Sequence, residues 1–286
     1  MSEKNILFAG LPSSGKTTFI AAFWHFLTDS TSENLISLNS LAGDNGYLNG
    51  ICRQWLNFNP VTRTNPNGEE IVAMNIKNNQ NGQNAILKIP DYSGEVFRNI
   101  FDLREWSTLF DTLIDETDGI VLFVNPTEKM NRPQFITIEN EILGLFGEEL
   151  YAKNTGDKKS WNVAFVPHQV KLVDILQFIE YKKPKKLPLK ITIVISAWDL
   201  VINNNHTKNY SPVRFLSTYL PLLFQFLVCN EDKYKVEYFG VSAQGGNYDG
   251  IEANELMRKK PEQRILVREE DSITNNIAKP IFWAME

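Results

Sequence analysis

Eight residues near the start of the chain, Gly10, Leu11, Pro12, Ser13, Ser14, Gly15, Lys16 and Thr17, fit the pattern G-x-x-x-x-G-K-[ST] in full. Residue types in that order make a cradle for phosphate. The glycines let the backbone curl so that successive N–H groups converge on anionic oxygens, and a helix beginning behind them adds the positive end of its dipole. In such a nest Ser13, Ser14, Gly15, Lys16, Thr17 and Thr18 supply the contacts. Lys16 reaches the β- and γ-phosphates, and the Thr17 hydroxyl is a ligand for Mg²⁺. The bland alternative is a glycine-rich turn without a ligand. Against it stand the flanks, an apolar run before the motif and a helical pattern after it.

Four other segments carry groups suited to a nucleotide site. Asp91, Tyr92, Ser93, Gly94 and Glu95 follow a predicted strand, although Asp-x-x-Gly is also common in simple turns. Ser196, Ala197, Trp198 and Asp199 close another predicted strand, and Val241, Ser242 and Ala243 close a third. Thr62, Arg63 and Thr64 lie just before a predicted hairpin and offer hydroxyls and a guanidinium.

Taken in order, these segments resemble the GTPase superclass of P-loop proteins, in its translation-factor-related, Ras-like branch. The resemblance implies that Asp91 holds Mg²⁺ through water and that the Gly94 N–H senses the γ-phosphate, with Thr64 as a further metal ligand. Ser196 to Asp199 stand where such proteins carry N-K-x-D, so Asp199 would accept from guanine N1 and N2. Adenine offers no such pair of donors, and a mismatched buried acceptor is costly. Here Ser and Ala replace the Asn and Lys of the pattern, which removes the aliphatic cover on one base face. Trp198 either supplies that cover by stacking or belongs to the core. Ser242 and Ala243 look like the S-A-K segment, whose backbone amide meets guanine O6, with Gln244 in place of lysine. Glu95 sits where relatives orient the attacking water, or else it is an acidic residue in the first turn of a helix. Arg63 is a candidate internal arginine finger. Lys16, Gly94, Glu95 and Arg63 are therefore the catalytic candidates.

The elements that must position these residues follow from apolar periodicity. Ile6 to Phe8 read as a strand buried on both faces, followed by a helix from Lys16 to about Asp29. Glu69 to Lys77 and Asn84 to Ile89 alternate around an Asn81-Gly82 turn and predict a hairpin. Val96 to Asp115 suits one or two helices. Gly119 to Asn125, Lys190 to Ser196 and Val236 to Val241 predict further buried strands, and helices are expected over Ser211 to Cys229 and Ser272 to Glu286. Strands alternating with helices imply an α/β layered fold with a mainly parallel sheet. The resemblance sharpens this to a three-layer P-loop NTPase, a Ras-like G domain whose six-stranded sheet is mostly parallel with one antiparallel strand. The whole chain, 1–286, is expected to be a single GTPase-like domain with an insertion over 126–188. That insertion would carry helices over Gln134 to Phe146 and Gln169 to Ile179 and an exposed loop over Asn154 to Ser160. In layout the chain looks like bacterial GTPase-like domains associated with multi-gene conflict or signalling systems.

Composition narrows the function classes. With 29 basic and 34 acidic residues the net charge is −5, so the molecule as a whole has no electrostatic reason to collect nucleic acid. The run from Lys182 to Lys186 is either a docking patch for an acidic partner or a solvated connection. Cys52 and Cys229 form no disulfide or metal pattern, and His25, His168 and His206 lack ligand spacing. No secretory signal is read at the N-terminus, and the most apolar stretch, Tyr219 to Cys229, is too short to span a bilayer. It reads as a buried helix. A cytoplasmic protein is expected, binding GTP or GDP with Mg²⁺, hydrolysing slowly and gating a protein partner. A nucleotide-gated interaction protein with negligible hydrolysis and a P-loop ATPase are the alternatives.

Overall fold

The run Lys4–Gly10 forms an inner strand, β1, and its side chains show why Ile6 to Ala9 are apolar without a break. Ile6 and Phe8 enter the core on one face of the sheet, and Leu7 and Ala9 enter the core on the other. The computed structural model describes residues 3–28, 35–40, 45–61, 71–90, 100–105, 108–126, 166–182, 188–249 and 251–286.

The strands are β1, β2 (Ile36–Ser40), β3 (Ile71–Asn78), β4 (Asn84–Pro90), β5 (Gly119–Val124), β6 (Leu189–Ile195), β7 (Tyr234–Ser242), β8 (Leu266–Arg268) and β9 (Ile273–Thr274). The helices are α1 (Lys16–Thr28), α2 (Gly46–Leu56), α3 (Thr108–Glu116), α4 (His168–Lys182), α5 (Trp198–Ile202), α6 (Pro212–Tyr219), α7 (Pro221–Cys229), α8 (Ile251–Met257), α9 (Pro261–Arg264) and α10 (Lys279–Met285).

One mixed sheet runs in the order β2-β3-β4-β1-β5-β6-β7-β8-β9. Its centre, from β4 through β1, β5 and β6 to β7, is parallel. Both margins are antiparallel, through β2 and β3 on one side and β8 and β9 on the other. The expected six strands are thus nine among the described residues, and antiparallel pairing is not confined to one strand. The missed strands are short or polar. β2 reads Ile-Ser-Leu-Asn-Ser within an Asn-rich and Ser-rich stretch, and β8 and β9 have three and two residues, too few for any periodicity to show.

Two apolar clusters sandwich the sheet. α1, α2 and α10 supply one, with Phe19, Phe23, Trp55 and Ile281 among its residues. α3 to α7 supply the other, with Phe110, Ile175, Val201, Phe215 and Leu223. Two expected helices start or run differently. Ser211 to Cys229 is split into α6 and α7, bent by 112°, because Leu220 leaves helical geometry (φ −132°, ψ 52°) ahead of Pro221. The last helix begins at Lys279, where Asn276 Oδ1 accepts from the Ala278 N–H and Pro280 sits in the first turn. Only Leu223 and Leu227 of α7 are fully buried, so the apolar stretch is a half-exposed helix. Among the described residues no single helix is long and apolar enough to cross a membrane.

α4 covers the expected Gln169 to Ile179 helix. The expected helix over Gln134 to Phe146, the loop over Asn154 to Ser160 and most of the Lys182 to Lys186 run lie outside the described residues. In this architecture β1, β5, β6 and β7 run in one direction, so their carboxyl ends share one rim of the sheet, where α/β folds bind ligands.

Candidate functional site

A cavity of about 490 Å³ opens on that rim. Its wall is built from the turn after β1, the start of α1 and the segments that follow β6 and β7. Volume and composition suit a ligand of nucleotide size, since pockets for such molecules span roughly 300–1,000 Å³.

The cradle has the curled backbone that the sequence predicts. Ser13 (φ 61°) and Gly15 (φ 86°) both adopt left-handed geometry. At Gly15 the requirement for glycine is also steric, because a Cβ there would stand 2.7 Å from Ser196 Cβ. Phosphate turn and β6 end therefore touch. At Gly10 a Cβ would meet the Phe123 carbonyl oxygen at 2.8 Å. The non-glycine Ser13 is held in place by Asn125, whose Nδ2 donates to the Ser13 carbonyl at 2.7 Å. Asn125 ends the apolar run of β5 and was not singled out from sequence. Its signal was a polar amide terminating a fully buried strand.

Lys16 lies back over the turn. Its Nζ donates to the Gly10 carbonyl at 2.7 Å, the Leu11 carbonyl at 3.0 Å and Ser14 Oγ at 2.9 Å. The ammonium is thus concentrated at the mouth of the cradle, where anionic oxygens would be attracted. Thr17 and Thr18, in the first turn of α1, line the same cavity. A hydroxyl there is a hard oxygen donor, the ligand type that Mg²⁺ takes. The donor set of Lys16 and Thr17 in a curled, glycine-dependent turn fits a polyphosphate with its cation.

On the other side of the cavity Ser196, Ala197, Asp199, Ser242, Ala243 and Gln244 come together. Asp199 occupies the first turn of α5 after Ala197, which takes left-handed geometry (φ 45°). Only 9% of Asp199 is exposed. Ser242 Oγ donates to Asp199 Oδ1 at 2.5 Å and accepts from the Gly245 N–H at 2.9 Å. Burial pushes the Asp199 carboxyl above its ordinary value, and the Ser242 hydrogen bond offsets part of that rise.

Trp198 is a correction to the base-stacking expectation. Its side chain is fully buried, edge-on to Phe215 with centroids 5.7 Å apart, and does not line the cavity. A Cβ at Gly240 would lie 2.2 Å from its ring. Trp198 is a core residue packed between α6 and β7.

Ser13, Ser14, Gly15, Lys16, Thr17, Thr18, Asp199, Ser242 and Ala243 are therefore brought to one cavity. Arg63, Thr64, Asp91, Gly94 and Glu95 lie outside the described residues. Val61 and Pro90, the described residues that precede those two segments, both line the cavity. Tyr47 from α2 lines it as well, and sequence reading had not placed α2 at all.

A family model described as Double-GTPase 1 matches residues 7–284, a span that includes every cavity-lining residue. No curated protein matches the chain.

Proposed function

The chain belongs to the Double-GTPase 1 family, and on that premise we propose that it is a guanine-nucleotide switch that hydrolyses GTP slowly and gates a protein partner. The supporting observation is the convergence on one cavity of the Lys16 and Thr17 cradle with the Asp199 and Ser242 pair. One end suits a polyphosphate and the other a base with two adjacent donors. We read the fold as a Ras-like G domain spanning 1–286, with residues 126–188 as an insertion.

In this reading Lys16 neutralises the β- and γ-phosphates, and the cradle amides orient them. Thr17, Thr64 and Asp91, the last through water, would hold Mg²⁺, which supplies charge neutralisation at the phosphates. Gly94 would sense the γ-phosphate. Glu95 would face the attacking water, where a carboxylate adds negative charge beside the phosphate, and that is why turnover is expected to be slow. Arg63 is the candidate to offset that charge. Asp199 would accept from guanine N1 and N2, and the Ala243 amide would meet O6. Loss of the γ-phosphate would release the loops around Thr64 and Gly94 and change affinity for the partner. The compartment we propose is the cytoplasm. The sequence layout supports placing it in a bacterial multi-gene conflict or signalling system.

Calorimetric titration with GDP, GTP, ADP and ATP in Mg²⁺, on the wild type and on Lys16→Ala and Asp199→Ala, tests the assignment. Guanine nucleotides should bind, adenine nucleotides should bind far more weakly, Lys16→Ala should lose triphosphate affinity and Asp199→Ala should lose base preference. Equal affinity for GDP and ADP in the wild type would refute the base assignment. Single-turnover hydrolysis, with and without candidate partners, separates a slow enzyme from a nucleotide-gated binding module.

A further inference from the structure

Behind the base side of the cavity lies a buried aromatic and cationic cluster that none of the motifs includes. Trp55, on α2, is fully buried, and its Nε1 donates to the Ala243 carbonyl at 3.0 Å. It does not line the cavity, so any effect on a ligand must pass through Ala243, which does. The guanidinium of Arg264 stacks 4.4 Å from the Trp55 ring centroid and 4.3 Å from that of Phe58. Arg264 is 3% exposed, and its Nε and Nη1 have no hydrogen-bond partner among the described residues. A buried cation balanced by π faces is a demanding arrangement to keep. The backbone of the same residue abuts the loop after β7, for a Cβ at Gly245 (φ 90°) would stand 2.4 Å from the Arg264 carbonyl oxygen.

The loop therefore has ties on two sides. Within itself, Gly245 N–H donates to Ser242 Oγ and Gln244 Nε2 donates to the Gly246 carbonyl at 2.9 Å. From behind, Trp55 fixes the Ala243 carbonyl, and Arg264 both holds the Trp55 ring and limits the path of Gly245. The Ala243 carbonyl shares a peptide plane with the Gln244 N–H, so fixing it sets that plane and limits the φ and ψ through which the Ala243 N–H on the other side of the residue can turn. A donor set in place before the ligand arrives does not have to be ordered on binding.

Resting on the guanine assignment made above, we infer that Trp55 and Arg264 are positioning residues for base recognition. They clamp Ala243 and Gly245 so that the Ala243 amide is preset for the O6 of a 6-oxopurine. Part of the base selectivity then comes from α2 and α9, outside the segments that carry the motifs.

The test compares GDP with 6-thio-GDP, which keeps the N1–H and 2-amino donors and carries sulfur, a much weaker acceptor, in place of O6. Trp55→Phe removes the indole donor and keeps a ring for Arg264. It should weaken GDP by about tenfold, the scale of one buried hydrogen bond, and affect the analogue much less, because sulfur has little of that hydrogen bond to lose. Arg264→Lys keeps the charge but not the planar stack, and should shift the same ratio in the same direction. Should Trp55→Phe fail to fold, that ratio in Arg264→Lys decides. Unchanged GDP affinity in a folded variant, or an equal loss for both ligands, overturns the inference while leaving the guanine assignment standing. Wild-type protein that binds GDP no better than ADP would overturn both.

Discussion

Ser242 and Asp199, separated by 43 positions in sequence, meet at 2.5 Å, with the serine hydroxyl donating to Oδ1 of the buried carboxylate. The contact fixes one oxygen of Asp199 and ties the end of β7 to the first turn of α5. A carboxylate held in this way presents acceptors in a set direction. Replacing it by an amide keeps one acceptor and adds a donor. Asp199→Asn is thus expected to weaken GDP by on the order of a hundredfold, the loss of charge-assisted hydrogen bonds. The same variant should strengthen XDP, whose 2-oxo group can accept from the new amide. Competitive titration of both nucleotides checks the exchange.

The raised Asp199 carboxyl gives the site a pH dependence with a definite sign. Guanine donors need the ionised form, and burial favours the protonated one. GDP affinity should therefore fall as pH drops through the Asp199 pKa, starting at a higher pH than an ordinary aspartate would allow, with a limiting slope of about tenfold per pH unit. The ligand-free protein should respond in the opposite sense. Between the unfolded value of 3.8 and the raised folded one, the native state binds more protons than the unfolded state, so this group's contribution to stability increases as pH falls. Calorimetry and thermal melting across mildly acidic pH, with Asp199→Asn as the non-titrating control, separate the two trends.

Gly15 is a position where backbone and packing make the same demand. Its φ of 86° and the 2.7 Å approach of a built Cβ to Ser196 both oppose any side chain. Gly15→Ala is expected to cost about 1–3 kcal/mol of stability through strain and overpacking. It should also push the cradle off Ser196 and abolish the stabilisation that GDP gives the wild type. Thermal melts with and without GDP test this, and an unchanged ligand-induced shift would count against the described contact.

Sequence alone located what is locally encoded. The cradle is a contiguous string, and β1, β5 and β6 are rich in consecutive apolar residues because both of their faces are covered. α2 was missed although Leu48, Ile51, Cys52 and Trp55 stand at helical spacing and are buried. Asn45, Gly46, Asn49 and Gly50 made that stretch look like a loop. β8 exists because β7 offers it an edge, and β9 because β8 does, a condition no window of two or three residues can register. The two roles open to Trp198 were decided by Gly240, which leaves room for the ring, and by Phe215 on α6, both distant in sequence.

Trp198 yields the sharpest separation between packing and recognition. Its ring is fully buried and its Nε1 has no hydrogen-bond partner among the described residues, so Trp198→Phe deletes volume without breaking a bond. The variant should lose about 1–3 kcal/mol of stability through the void left against Gly240 and Phe215. GDP affinity should stay within about twofold of wild type, because the ring does not line the cavity. A stacking role would give the reverse pattern, weaker binding with little change in stability. Chemical denaturation and nucleotide titration on the same preparation discriminate the two. Comparison with Trp55→Phe then sets a tryptophan that fills the core beside one that acts on the base through a backbone carbonyl.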